Sequence, residues 1–267
     1  MSEPLIVAER LSKRFEIHHN FSPSIKERFL GLFHDRNRMT VEDFWALRDI
    51  DLSITRGESV GLVGRNGSGK STLLKLIAGI YRPTAGRILV RRDARIGTMI
   101  ELGVGFHPEL SGTENVYLSA SIYGMKRAEI AALYPRIVSY SGLEHFMDTP
   151  LKNYSSGMKM RLGFAIAASV DPGILLLDEI FAVGDAEFQR QCFQTLEKFR
   201  ASNTTILFVS HSPAAIKGMC DRVCVLDHGR VQFDGNVDEG LEFYQHLTRA
   251  GAGAAAPPVA VPASSPR

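Results

Sequence analysis

Four clusters in this sequence have the residue types and spacing for phosphate chemistry. Gly64, Asn66, Gly67, Ser68, Gly69, Lys70, Ser71 and Thr72 fall on the pattern G-x-x-x-x-G-K-[ST] and its flank. In that pattern the glycines let the backbone curl until several N–H groups point at phosphate oxygens, and the positive end of the following helix adds to the field. Lys70 is then placed to reach β- and γ-phosphates, and Ser71 to ligate Mg²⁺. The apolar run 174–177 ends in Asp178 and Glu179. Carboxylates at the carboxyl end of such a strand lie where open α/β sheets bind ligands, so Asp178 is expected to hold the metal and Glu179 to polarise an attacking water as general base. Ser155, Ser156 and Gly157 open a helix, whose first N–H groups and a hydroxyl make an anion site. His211 follows another apolar run, 206–209, and places an imidazole at a strand end.

Each cluster alone has a plainer reading: a Gly-rich turn, a solvated strand end, a helix cap, a satisfied polar residue. Their company makes the chemical readings the better ones. The phosphate loop has a strand before it (59–63) and an apolar helical stretch after it (72–78), the context in which the pattern works.

The elements that must position these residues read as an α/β core. Leu5–Ala8 begins a strand and 46–54 alternates, with Leu47, Leu52 and Ile54 facing inward. The runs 59–63, 174–177, 205–210 and 222–226 are short and continuously apolar, as strands covered on both faces are. Helical stretches separate most of them. From 101 to 170 helix-like segments dominate, notably 113–123 and 127–141, and read as a helical subdomain inserted into the core.

Composition bounds the class. The chain has 267 residues, 45% hydrophobic and 22% charged, with net charge +2, which argues neither for nor against nucleic acid. No apolar run reaches the roughly 18–20 residues that span a bilayer, and the N-terminus lacks the pattern of a signal peptide, so a cytoplasmic location is expected. The three cysteines, Cys192, Cys220 and Cys224, do not form a disulfide framework, and the last two read as core thiols rather than a metal pair.

The order of these motifs resembles the ATPases of ABC transporters. Tyr154 to Met158 is similar to that family's signature loop, usually written LSGGQ, and 183–185 to the loop that couples its two sites through Asp185. The resemblance covers the chain to about Leu247. It implies an α/β ABC-type P-loop fold: a mixed or parallel sheet core within 1–247, a helical subdomain at about 101–172, an insertion at about 16–44, and a disordered Ala/Pro-rich tail over 248–267. It implies ATP hydrolysis with Mg²⁺ in a homodimer, each nucleotide held by Lys70 of one copy and by Ser155, Ser156 and Gly157 of the other. The resemblance implies that Glu179, His211 and Lys70 form the catalytic set, with His211 as the switch that contacts the γ-phosphate and reports its loss.

Two positions depart from the family pattern. Its metal-contacting Gln is missing, and Glu101 is the candidate for that place. Phe15, Phe44 and Trp45 all qualify as the adenine-stacking aromatic; Phe15 is favoured because it ends the first strand as the family's aromatic does.

The segments 101–115, 154–158 and 182–189 together look like the ATPases of bacterial exporters of O-antigen, teichoic acid or capsule. That likeness implies two ATPase copies with two copies of a multi-span membrane permease, at the cytoplasmic face of a bacterial membrane, moving a lipid-linked polysaccharide and binding no nucleic acid. The rivals are the ATPase of another ABC transporter and a soluble ABC protein of ribosomes or DNA; this chain has neither tandem cassettes nor a long coiled coil. In the insertion, Ile25, Phe29 and Phe33 fall on one helical face with Lys26, Arg28, Arg36 and Arg38 nearby. It faces either a membrane and its anionic substrate or simply the sheet core.

Overall fold

The computed structural model describes residues 3–19, 40–100, 102–170, 172–178 and 186–252. Two sheets face one another. β2 (Thr40–Thr55), β1 (Pro4–His19) and β4 (Ala85–Val90) form an antiparallel sheet in the order β2-β1-β4. The second sheet has six strands: β5 (Ile96–Met99), β6 (Ile174–Asp178), β7 (Thr205–Val209), β3 (Ser59–Gly64), β8 (Arg222–Asp227) and β9 (Arg230–Gly235), in that spatial order. The first five run parallel and β9 is an antiparallel edge.

The continuously apolar strands are covered on both faces. In β6, Ile174 and Leu176 enter the core shared with the antiparallel sheet and with α1 (Lys70–Ile77), whereas Leu175 and Leu177 enter the opposite core. The strand period of two thus delivers alternate residues to two different cores. That second core is closed by α5 (Ala186–Ala201), α6 (Pro213–Met219) and α7 (Val237–Ala252) through Phe188, Leu196, Ile216 and Leu241. A third cluster lies wholly in the helical layer of α2 (Gly112–Ile122), α3 (Arg127–Ser141) and α4 (Ser156–Ser169), so this layer has a core of its own.

Two expectations are corrected at their edges. The insertion does not begin at 16, because β1 and β2 continue as a paired ladder to His19 opposite Thr40; the amphipathic segment at 24–38 lies outside the described residues. Residues 248–252 are helical, not tail: α7 runs on to Ala252, with the Thr248 hydroxyl donating to the Tyr244 and Gln245 carbonyls. Three strands carried no sequence signal strong enough to read. β4 and β9 are largely exposed edges with one Arg each, and β5 has four residues. The three cysteines are buried free thiols, each pushed up to about 12 by desolvation.

Candidate functional site

β3 delivers the chain into the loop 64–69, and α1 leaves it. Gly69 caps α1 with φ +107°, a conformation that glycine adopts freely. A Cβ there would lie 2.6 Å from the Ala46 carbonyl oxygen and 2.6 Å from Leu47 Cδ2, so the position also has no room for a side chain. β2 is therefore pressed against the loop and forms the facing wall of a cleft of about 490 Å³. Asn66, Gly67, Gly69, Lys70, Ser71 and Thr72 line one side, Phe44 and Ala46 another, and Ile100 and Asp178 close the far end.

Lys70 is buried, 6% exposed, and its Nζ donates to the carbonyl oxygens of Gly64 at 2.8 Å and Arg65 at 3.0 Å. A cation held on neutral carbonyls inside a loop of N–H groups suits an incoming polyanion, because the charge is already desolvated and aimed. The Ser71 hydroxyl and the Asp178 carboxylate line the same cleft. Both are hard oxygen donors, the chemistry Mg²⁺ takes, so the residues present fit that ion.

Not every expected residue faces the cleft. Gly64 and Ser68 do not line it: the buried Ser68 Oγ makes no hydrogen bond among the described residues, and a Cβ on Gly64 would lie 2.6 Å from it. The Ser68 carbonyl accepts from Gly229 N at 3.1 Å, and Arg48 N donates to the Gly229 carbonyl at 2.8 Å. The β8–β9 turn thus braces the loop and β2 together, a support no motif in the sequence signalled.

The aromatic wall differs from the favoured expectation. Phe15 and Phe44 are direct partners across the β1–β2 ladder, yet Phe44 lines the cleft, 47% exposed. Phe15 packs edge-on against Tyr81 at 5.4 Å, with Lys13 Nζ 5.0 Å from its ring. Trp45, the third candidate, lies between the Arg14 and Arg48 guanidinium groups at 5.8 and 5.6 Å.

Asp178 pairs with Val209 in the β6–β7 ladder, and Leu62 pairs with Val209 on its other side. Asp178, Ser210–His211 and the phosphate loop therefore leave three neighbouring strands at one carboxyl edge. His211 is exposed beside α6, whose cap Ser212 accepts from Ala215 N at 3.3 Å. Glu101, Glu179 and Asp185 lie outside the described residues.

Ser155 caps α4, its hydroxyl accepting from Met158 N at 3.2 Å, and Ser155 and Ser156 are exposed. None of Ser155, Ser156 and Gly157 lines the cleft of its own chain. The residue before them is anchored deeply: Tyr154 is 5% exposed and its hydroxyl donates to the Phe146 carbonyl at 2.7 Å. A Cβ on Gly112 would meet that hydroxyl at 2.2 Å, which explains both the Tyr and the Gly. Asn115, fully buried, organises the loop 107–111. Its Oδ1 accepts from His107 N at 2.7 Å, and its Nδ2 donates to the carbonyls of His107, Leu110 and Ser111. The segment singled out as specific in the sequence is thus a loop wrapped on one amide and closed by the Ser111–Glu114 capping box.

The sequence model of the family described as ABC transporter matches residues 47–182. An O-antigen export system ATP-binding protein, RfbB of Klebsiella pneumoniae, is 39% identical over 91% of this chain and 98% of its own length. The ABC transporter protein AbcA of Aeromonas salmonicida is 40% identical over 95% of this chain and 84% of its own. A teichoic acids export ATP-binding protein, TagH of Listeria monocytogenes, is 38% identical over 90% of this chain and 70% of its own. Among solved structures, a dimeric ATP-binding cassette bound to ADP and Pi superposes with TM-score 0.67 at 22% identity, covering 87% of this chain and 98% of that one. An ATP-binding subunit of an ABC transporter gives 0.69 at 24% identity, covering 93% and 98%. These two establish the fold.

Proposed function

This chain belongs to the ABC transporter family, and on that premise we propose that it is the ATP-hydrolysing subunit that powers export of a lipid-linked cell-surface polysaccharide through a membrane permease. The observation that carries the reading is near-full-length similarity to relatives named for export of O-antigen and teichoic acid, joined to a cleft that brings Lys70, Ser71 and Asp178 together.

In this reading the Lys70 ammonium and the N–H groups of 66–72 hold the β- and γ-phosphates of ATP, and Phe44 packs on the base. Mg²⁺, when held by Ser71 and Asp178, supplies charge neutralisation to the leaving phosphate. Glu179, next in the chain after Asp178, orients and deprotonates the attacking water. His211, from the adjacent strand end, senses the γ-phosphate. Ser155, Ser156 and Gly157 complete the site of a second copy; their exposure and their distance from their own cleft support that division of labour. Two such copies then work with two permease subunits at the cytoplasmic face of the membrane. None of the described helices is long and apolar enough to cross a bilayer, which is compatible with a peripheral position.

The choice of Phe44 has a direct test. Phe44→Ala is expected to weaken ATP binding about tenfold, the size of one lost base–aromatic stack, and Phe15→Ala to leave it within about twofold. Trp45, the single Trp of the chain, is a built-in fluorescence reporter one residue from the cleft. Equal losses from both variants would remove the distinction.

The export reading is tested on the purified membrane complex. A lipid-linked O-antigen, teichoic or capsular precursor is expected to accelerate ATP hydrolysis several-fold. Robust basal hydrolysis that responds to no glycan would overturn the substrate class and leave the ATPase standing.

A further inference from the structure

A second concavity, of about 360 Å³, lies between the helical layer and the core, and shares no lining residue with the nucleotide cleft. α3 supplies one wall, α5 the other, and the last turn of α4 the end. Its charge is one-sided. Arg136 comes from α3 and Lys198 from α5, and among the described residues no carboxylate lines it. Arg200, also on α5, is ion-paired with Asp221, but no acidic partner of Arg136 or Lys198 stands among the described residues.

Helix-end electrostatics accounts for part of this, since the last turn of α5 carries both Lys198 and Arg200. Arg200 is satisfied by Asp221 at 2.6 Å. The dipole does not account for a second cation on the facing wall.

The rest of the lining is neutral and polar on an aromatic base. Gln194 offers an exposed amide, and Thr195 and Ser169 offer hydroxyls. Tyr140 and Phe199 supply partly buried rings. The base is held rigidly. The Tyr140 hydroxyl lies 2.8 Å from Thr195 Oγ1 and 3.2 Å from the Gln191 carbonyl oxygen, and its ring stacks on Phe164 of α4 at 5.9 Å. Phe164 in turn meets Phe188, in the first turn of α5, edge-on at 5.7 Å.

We propose that this cleft binds a small polyhydroxylated anion, a sugar ring bearing a phosphate or carboxylate, clamped between Arg136 and Lys198. The two cations take the charged group by charge-assisted hydrogen bonds. The Gln194 amide donates to ring hydroxyls; the Thr195 and Ser169 oxygens, whose protons go to the Gln191 and Ala165 carbonyls, accept from them, as do carbonyls at the end of α4. The volume is at the small end of ligand sites and suits a monosaccharide-sized body. Occupancy ties α3 to α5 across the Tyr140–Thr195 contact. It therefore stiffens the junction between the layer that carries Ser155–Gly157 and the core that carries Asp178, and is expected to change ATP turnover.

The test uses the full chain with the nucleotide cleft first filled by Mg²⁺ and a non-hydrolysable ATP analogue; that binding step examines the ATPase reading by itself and keeps added phosphates off Lys70. Glucose 1-phosphate and glucuronate are then titrated calorimetrically, with glucose and inorganic phosphate as half-ligands. One site per chain is expected for both anionic sugars, with each half-ligand binding at least about tenfold more weakly, since each lacks one set of charge or hydroxyl contacts. Arg136→Glu and Lys198→Glu are each expected to cost at least about tenfold in affinity. Thermal unfolding of these two variants, altered at exposed side chains, separates loss of the site from loss of the fold. Absence of binding, equal binding of inorganic phosphate, or undiminished binding by either folded variant would each overturn the proposal.

Discussion

Lys70→Ala is expected to lower ATP turnover by at least about 10², the loss seen when a preorganised electrostatic donor is removed from a developing negative charge. The cause is visible in the resting loop. The ammonium is 6% exposed and fixed by two carbonyls of its own loop, so its desolvation is met during folding rather than when nucleotide arrives. Alanine leaves the N–H groups of the loop in place but removes the only lysine that lines the cleft among the described residues. Affinity for ATP should fall with the rate, and affinity for adenosine much less, because the base is held elsewhere. Lys70→Arg is no rescue: a planar five-donor guanidinium does not fit a pocket shaped for a compact point charge on two carbonyls. Phosphate release at saturating ATP measures the effect, and turnover within about threefold of the unaltered chain would remove Lys70 from the catalytic set.

Contiguity decided what was legible in the sequence. The phosphate loop is eight consecutive residues whose backbone does the binding, so spacing alone carries it, and Lys70, Ser71 and Asp178 do share a cleft. The aromatic wall depends on tertiary placement. Phe15 and Phe44 are 29 positions apart and end up opposite each other on one ladder, and only packing against Tyr81 decides which ring turns away. Gly229 is similar: its role arises because the β8–β9 turn is brought under the loop, and a Gly in a polar turn has no distinctive context. Parallel strands read well because two cores demand uniform apolarity, as in β6 and β7. Edge strands such as β4 are exposed along much of their length and tolerate Arg87, so no pattern survives in their sequence. The expected tail begins five residues too early because the Ala- and Gly-rich composition beyond Arg249 masks the helical continuity of α7.

Glu179→Gln is expected to abolish turnover while preserving ATP binding, and so to collect the protein in a two-copy, ATP-bound state. A general base contributes about 10²–10⁴ to rate, and the amide keeps the volume and a hydrogen-bonding oxygen while losing the basicity. The metal site should survive, because Asp178 and Ser71 are untouched. Asp178→Asn is the informative contrast. It weakens the hold on Mg²⁺, so that variant should bind ATP poorly and remain a single copy. The dimer is expected because Ser155 and Ser156 cap an exposed helix end that its own cleft does not use, while Tyr154 fixes that end to the buried core of the helical layer. A helix N-terminus held rigidly and turned outward suits a phosphate presented by another copy. Gel filtration with light scattering, in ATP and then in ADP, reads the state. A dimer in ATP that dissociates in ADP is the expected pattern. Full hydrolysis by the variant would take the base role from Glu179. An inactive, ATP-saturated single copy would leave Glu179 in place and overturn the shared site.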